Sequence, residues 1–238
     1  MSNKKYVMMI DTETAGTVQR PLPYDVGFAV ADLKGNLYEP HSFVNADIYC
    51  GERELMKSAY YASKLPQYEE DLRNGTRELT TFFNIRKTFY ELYEKYNCIG
   101  VAAYNTGFDR RSMNNGFAHS TNGKYRYFFK RNIPLLDVWS MACNSIFQTR
   151  TFRRVAYDNG WYSGKGNIRT NAEVAYAYIS GQHDFTECHT ALEDVAIEAE
   201  IMAYCWKRTN PEQRGIVGCP WRLPQKEWYY TENRLDNI

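Results

Sequence analysis

The feature that most constrains this chain is a short apolar run that ends in two carboxylates, Val7-Met8-Met9-Ile10 followed by Asp11-Thr12-Glu13. Consecutive apolar residues without polar alternation describe a strand covered on both faces, so residues 5–11 are expected at the centre of a sheet. Residues two apart on a strand share a face, which stands Asp11 and Glu13 side by side where the strand stops. Adjacent carboxylates repel each other unless a cation lies between them. The pair therefore reads as a divalent-metal site or as a solvated strand end.

The rest of the chain supplies a sheet for that strand to join. Residues 24–33 form a second strand, Lys34-Gly35-Asn36 a turn and residues 37–45 a third strand, making a hairpin. Residues 51–73 look helical but are interrupted by Pro66, whereas 79–96 place Phe82, Phe83, Ile85, Phe89, Leu92 and Tyr93 at helical spacings. An apolar strand at 98–104, a helix from about residue 108 and a short strand at 133–136 follow. Thr170 with Glu173, and Thr190 with Glu193, fit capping boxes at two late helix starts. The last helix carries Leu192, Val195, Ala199, Met202 and Trp206 as one apolar stripe. Strands and hairpin followed by alternating strands and helices predict a single α/β domain with a mixed sheet flanked by helices. It spans residues 1–207, with 208–238 an irregular tail, rich in Pro, Trp and Tyr, packed on the same domain.

Composition narrows the function. Of 238 residues, 44% are hydrophobic and 24% charged, which excludes a disordered, collagen-like or coiled-coil chain. No apolar run approaches the roughly 18 residues that cross a bilayer, and the first residues lack a signal-length apolar stretch, so a cytoplasmic protein without a membrane partner is expected. With 29 basic against 28 acidic side chains, polyanions are not held by bulk charge, and any phosphate contact is local. The six cysteines include no C-x-x-C pair, which argues against zinc ribbons and thioredoxin-like redox motifs and for reduced, mostly buried thiols. Aromatic residues make up 16%, enough that many lie near the surface, to pack or to stack on bases.

Two further segments can carry chemistry. Tyr104-Asn105-Thr106-Gly107-Phe108-Asp109 lies where a strand stops and a helix begins, the place where open sheets bind ligands. Taken singly, Asp109 suits the positive end of that helix and Phe108 the core. His189-Thr190-Ala191-Leu192-Glu193-Asp194 puts a histidine just outside a helix start and a carboxylate about one turn inside it, beside the apolar stripe. Singly, these are a loop residue and a helix-start acid.

Together, DTETAG at 11–16, YNTGFD at 104–109 and HTALEDV at 189–195 resemble, in order and in placement, the three motifs of the DEDDh family of 3′–5′ exonucleases. The family includes polymerase proofreading domains, ribonuclease T and oligoribonuclease. Over residues 5–207 the resemblance implies a ribonuclease H-like fold with a mixed five-stranded sheet. It implies that Asp11, Glu13, Asp109 and Asp194 hold two Mg²⁺ or Mn²⁺ ions and that His189 is the general base. Two such ions about 4 Å apart neutralise the phosphodiester, and an imidazole pKa of about 6.5 suits proton removal near neutrality. Thr12, Thr14, Asn105 and Phe108 would contact substrate. The implied reaction removes nucleoside 5′-monophosphates from the 3′ end of single-stranded DNA or RNA, and the resemblance implies a polymerase or another replication or repair protein as a further partner. The alternative is a non-catalytic nucleic-acid-binding scaffold, which would be expected to have lost at least one of the five residues.

The chain departs from that pattern in three places. Thr17 follows the first-motif glycine, where many relatives have a bulky apolar residue; residues 46–75 are longer than a compact member needs; and the tail lies outside the resemblance. Asp137 reads as a helix cap, because four carboxylates already suffice for the metals. His183 and Asp184 read as exposed. Basic and aromatic residues interleave at 124–131, and Arg150, Arg153 and Arg154 cluster; both suit phosphate contact or plain exposure.

Overall fold

Val7, Met8, Met9 and Ile10 are fully buried at the centre of a six-stranded sheet, in a computed structural model that describes residues 4–57, 59, 62–123, 126–131 and 133–208. The strands are β1 (Tyr6–Thr17), β2 (Arg20–Asp32), β3 (Leu37–Asn45), β4 (Glu78–Thr80), β5 (Val101–Ala103) and β6 (Leu135–Asp137), in the order β4-β3-β2-β1-β5-β6. β2 is antiparallel to β1 and β3, while β4 runs parallel to β3, β5 to β1 and β6 to β5. The helices are α1 (Ala46–Tyr49), α2 (Arg53–Lys57), α3 (Leu65–Asn74), α4 (Phe82–Lys95), α5 (Thr106–Ser120), α6 (Val138–Ala142), α7 (Arg150–Asp158), α8 (Ala172–Ser180) and α9 (Ala191–Arg208).

The alternation along β1 sorts the layers. Val7 and Met9 pack with Ala29, Ala31, α6, α8 and the Val195–Ala199–Met202 stripe of α9. Met8 and Ile10 face the other way, onto Phe28, Val30, α4 and α5. Asp11 and Glu13 continue the first series and Thr12 the second. Residues of the 46–75 segment form a small third core, in which Ile48, Met56 and Tyr68 close over Ala15, Tyr24 and Val44.

The mixed α/β architecture is as expected, with one strand more than five. β4 uses residues read as the start of the 79–96 helix: Leu79 pairs with Val44, and the Thr81 hydroxyl accepts the Asn84 N–H, so α4 begins at Phe82. β1 runs on past Asp11 to Thr17 because residues 12–17 keep pairing with β2, with a register shift between Glu13 and Thr14. Pro66 begins a helix instead of breaking one, sitting in the first turn of α3, where its missing N–H costs nothing. The capping box at Thr170 does not form: Arg169 pairs with Glu173 at 2.7 Å, the Thr170 hydroxyl accepts from Trp139 Nε1 at 3.2 Å, and α8 starts at Ala172. At Thr190 the helix start holds but the bonding differs, since the hydroxyl donates to the Glu193 carboxylate at 2.6 Å. Asp137 caps α6 through Ser140 N–H at 2.8 Å. Phe128 and Phe129 are buried in the core, which removes them from any base-stacking face at 124–131. Cys98, Cys143 and Cys205 are buried thiols, but Cys50 and Cys188 are exposed. Residues 209–238, expected as a packed tail, lie outside the described residues, as do 124 and 125. Among the described residues no helix is long and apolar enough to cross a membrane.

Gly27 pairs with Asp11 across β1 and β2, and a Cβ there would run into the backbone of Ala191 and Leu192. The start of α9 therefore rests directly on β2. Gly27→Ala is expected to cost about 1–3 kcal/mol of unfolding free energy, as overpacking of a tight contact does. Urea denaturation measures it, and an unchanged midpoint would contradict this packing.

Candidate active site

Three elements bring acids together midway along β1, just past the end of β5. Asp11 and Glu13 project from the strand, Asp194 from the first turn of α9, and Asp109 from the first turn of α5. α9 is seated by a buried polar hub. Asp25, fully buried and opposite Glu13 on β2, accepts the Ala191 N–H at 3.0 Å and the Tyr68 hydroxyl at 2.6 Å. Arg77 faces the same carboxylate at 3.3 Å and also donates to Ser42 at 2.7 Å and Asp71 at 2.9 Å. On the other side, Asp109 accepts the Thr12 hydroxyl at 2.9 Å, which ties α5 to β1.

Asp11, Thr12, Glu13, Asn105, His189 and Asp194 line a cleft of about 520 Å³, with Tyr104 and Trp139 on its wall. Carboxylate oxygens of Glu13 and Asp194 and a nitrogen of His189 lie within 4.8 Å of one another. Asp109 is buried behind Thr12, while Thr14 and Phe108 are half-buried and do not line the cleft. Arg111 covers the Phe108 ring at 5.6 Å. His183 and Asp184 are exposed, and His183 meets Trp161 edge-on.

Two residues at the cleft have left-handed backbones, Asn105 at φ 67° and His189 at φ 51°. Such strain persists where the surroundings impose it, commonly at functional sites. Asn105 Oδ1 is also a buried acceptor without a hydrogen-bond partner among the described residues.

Three charged residues at the site went unread in the sequence. Glu198 is buried at the cleft floor and accepts the Tyr104 N–H at 3.0 Å; its place one helical turn after Asp194 was the available signal. Glu187 Oε2 lies 3.7 Å from His189 Nδ1. Lys64 Nζ, from the 46–75 segment, reaches the His189 carbonyl at 3.4 Å, and no local pattern announced it.

The acids oppose one another. Burial, then Asp109 and Glu198, hold the Asp11 carboxyl well above the usual carboxylate range. Burial, then Asp194 and Asp25, push Glu13 up to about 9, against the pull of Lys64. Burial raises Asp109 to about 7 against its Thr12 bond, and burial with Glu193 raises Asp194 to about 7. Glu198 is likewise well above its ordinary value, through burial and then Asp109. His189 is lowered by burial and then by Lys64, with Glu173 opposing, which favours neutral imidazole. A crowded set of oxygen ligands that resists ionisation is suited to a hard divalent cation, whose charge reverses that resistance.

No family model and no curated protein matches the chain. Among solved structures, E. coli Exonuclease I in complex with a dA16 oligonucleotide aligns with TM-score 0.50 and 16% identity, over 88% of this chain and 42% of that one. The zinc-ion-bound form of the E. coli Exonuclease I–ssDNA complex aligns at 0.48 and 14%, over 86% and 40%. Exonuclease X in complex with 5′-overhanging duplex DNA aligns at 0.41 and 12%, over 88% and 97%. This chain thus spans about two fifths of the Exonuclease I chain. The likeness to Exonuclease I establishes the ribonuclease H-like fold.

The raised carboxyls set a pH dependence. A carboxyl whose pKa rises on folding binds its proton more tightly in the native state, so its contribution is present in full below an ordinary value of about 4. It is lost as pH climbs through about 7 for Asp109 and Asp194 and about 9 for Glu13. In EDTA the melting temperature is expected to fall from pH 5 to 9, and Mg²⁺ or Mn²⁺ to restore it most at the alkaline end. A melting temperature equally insensitive to pH and to cations would contradict this electrostatics.

Proposed function

We propose that this chain is a divalent-cation-dependent 3′–5′ exonuclease that hydrolyses single-stranded nucleic acid and releases nucleoside 5′-monophosphates. The observation that carries the reading is the convergence of Asp11, Glu13 and Asp194 with His189 in one cleft, with Asp109 directly behind, on the central strand of a ribonuclease H-like sheet just past the end of β5. Asp11, Glu13, Asp109 and Asp194 would hold two Mg²⁺ or Mn²⁺ ions, which supply neutralisation of the phosphate charge and acidification of the attacking water. His189 takes the proton of that water at Nε2, since Nδ1 faces Glu187 at 3.7 Å. The water oxygen bonds to phosphorus as the P–O3′ bond breaks; O3′ stays on the shortened strand and takes a proton from solvent to become its new 3′-hydroxyl, and the terminal nucleotide leaves with its 5′-phosphate. Tyr104 and Trp139 offer rings on which a terminal base can stack, and Asn105 an acceptor for a polar edge of the substrate. The oligonucleotide bound in the Exonuclease I structure supports single-stranded substrate. Retention of all five residues favours an enzyme over a scaffold.

End-labelled single-stranded DNA and RNA, incubated with Mg²⁺, Mn²⁺ or EDTA, test this reading and rank the substrates. Digestion is expected only with a cation; Asp11→Asn should abolish it while leaving the fold intact. A 3′-phosphate should slow it and a 5′ block should not. Activity in EDTA, or cleavage of a circular strand, would overturn the assignment.

His189→Ala is expected to cost about 10²–10⁴-fold in rate, the contribution of a positioned base, with strand binding retained. The rise of wild-type rate through the histidine range should flatten in the variant at matched cation concentration. His183→Ala serves as the control, and a larger loss there would assign the base to the wrong histidine.

A further inference from the structure

Among its described residues the 46–75 segment adds no strand to the sheet, yet it is firmly attached. Tyr68 donates to Asp25 at 2.6 Å, Asp71 accepts from Arg77 at 2.9 Å, and Ile48, Met56 and Tyr68 fill the third core. Those anchors hold a short turn, Ala62–Lys64, at the rim of the acidic cleft, with Lys64 at the start of α3. Lys64 is half-buried, and its Nζ reaches the carbonyl of His189, in the strained residue that borders Glu13 and Asp194.

We propose that Lys64 contacts the phosphate backbone of the substrate at this site, an inference that rests on the nuclease reading above. An acidic cleft repels an incoming polyanion, and a cation at the rim, on the side of Glu13, Asp194 and His189, offsets that repulsion where the strand must enter. The hydrogen bond to the His189 carbonyl is long, at 3.4 Å, so a charged phosphate oxygen can replace it with a stronger one. On this account the added segment is the arm that delivers one positive charge to the site.

The test separates a phosphate contact from a brace for the His189 loop. In the full chain carrying Asp11→Asn, binding of fluorescein-labelled single-stranded DNA and RNA is followed by anisotropy across a KCl series. Lys64→Met is expected to weaken binding and to make the slope of log K against log salt shallower by about 0.7, the value for one phosphate contact on a single strand. Lys64→Arg should restore the slope, and Lys64→Gln, which keeps a hydrogen-bond donor without the charge, should behave as Met does. Unchanged slope and affinity in Met and Gln variants with wild-type melting temperature would overturn the proposal and leave the nuclease reading standing. If the Asp11→Asn parent binds neither strand, and the wild type digests neither, the nuclease reading falls and takes this one with it.

Discussion

The buried carboxylate of Asp25 organises this molecule. It meets the first N–H of α9, the Tyr68 hydroxyl and the Arg77 guanidinium, and so joins β2, the 46–75 segment and α9 at one point. A negative charge at a helix N-terminus is favourable in itself, and more so away from water. Arg77 makes that burial tolerable, since a lone buried carboxylate would be costly. Even so, burial outweighs these partners and leaves Asp25 above its ordinary pKa. The hub and the missing side chain of Gly27 act together: one pulls the start of α9 onto β2, the other lets it arrive.

That seating creates the electrostatic problem on which the functional reading rests. With α9 in place, Asp194 stands beside Glu13, and Glu198 joins Asp11 and Asp109 from below. Five carboxyls with elevated pKa values store repulsion that folding alone does not relieve. Lys64 offsets part of it for Glu13 and Asp194, from an arm held by the same hub. A divalent cation held by these carboxylates would offset more, because it carries two charges.

What was legible in the sequence was local. The run from Val7 to Ile10 identified the central strand because burial on both faces leaves a continuous apolar signature, and the stripe from Val195 to Met202 identified the face of α9. Asp137 reads correctly as a cap because capping is settled within three residues. Local patterns failed where a distant group competed, as at Thr170, whose hydroxyl is engaged by Trp139, 31 residues away in sequence. The short β4 could not be seen because its pairing with β3 depends on non-local contacts. Asp25 lies 52 residues from Arg77 and 166 from Ala191, and Lys64 lies 125 from His189, so no window of sequence contained those contacts. The motif acids were visible as a set; their depth was not, and it puts Asp109 behind Thr12 and leaves Thr14 and Phe108 off the cleft.

The proposed divalent-cation centre of Asp11, Glu13, Asp109 and Asp194 depends on the seating of α9 on β2. Counting Mn²⁺ bound per chain, by the loss of its free-ion electron paramagnetic resonance signal at neutral pH, tests it most directly. Two ions are expected per wild-type chain at saturation, and fewer or far weaker ones in both Asp11→Asn and Asp194→Asn, which lie on different elements. Binding that survives both substitutions unchanged, or no binding by the folded wild type, would contradict it.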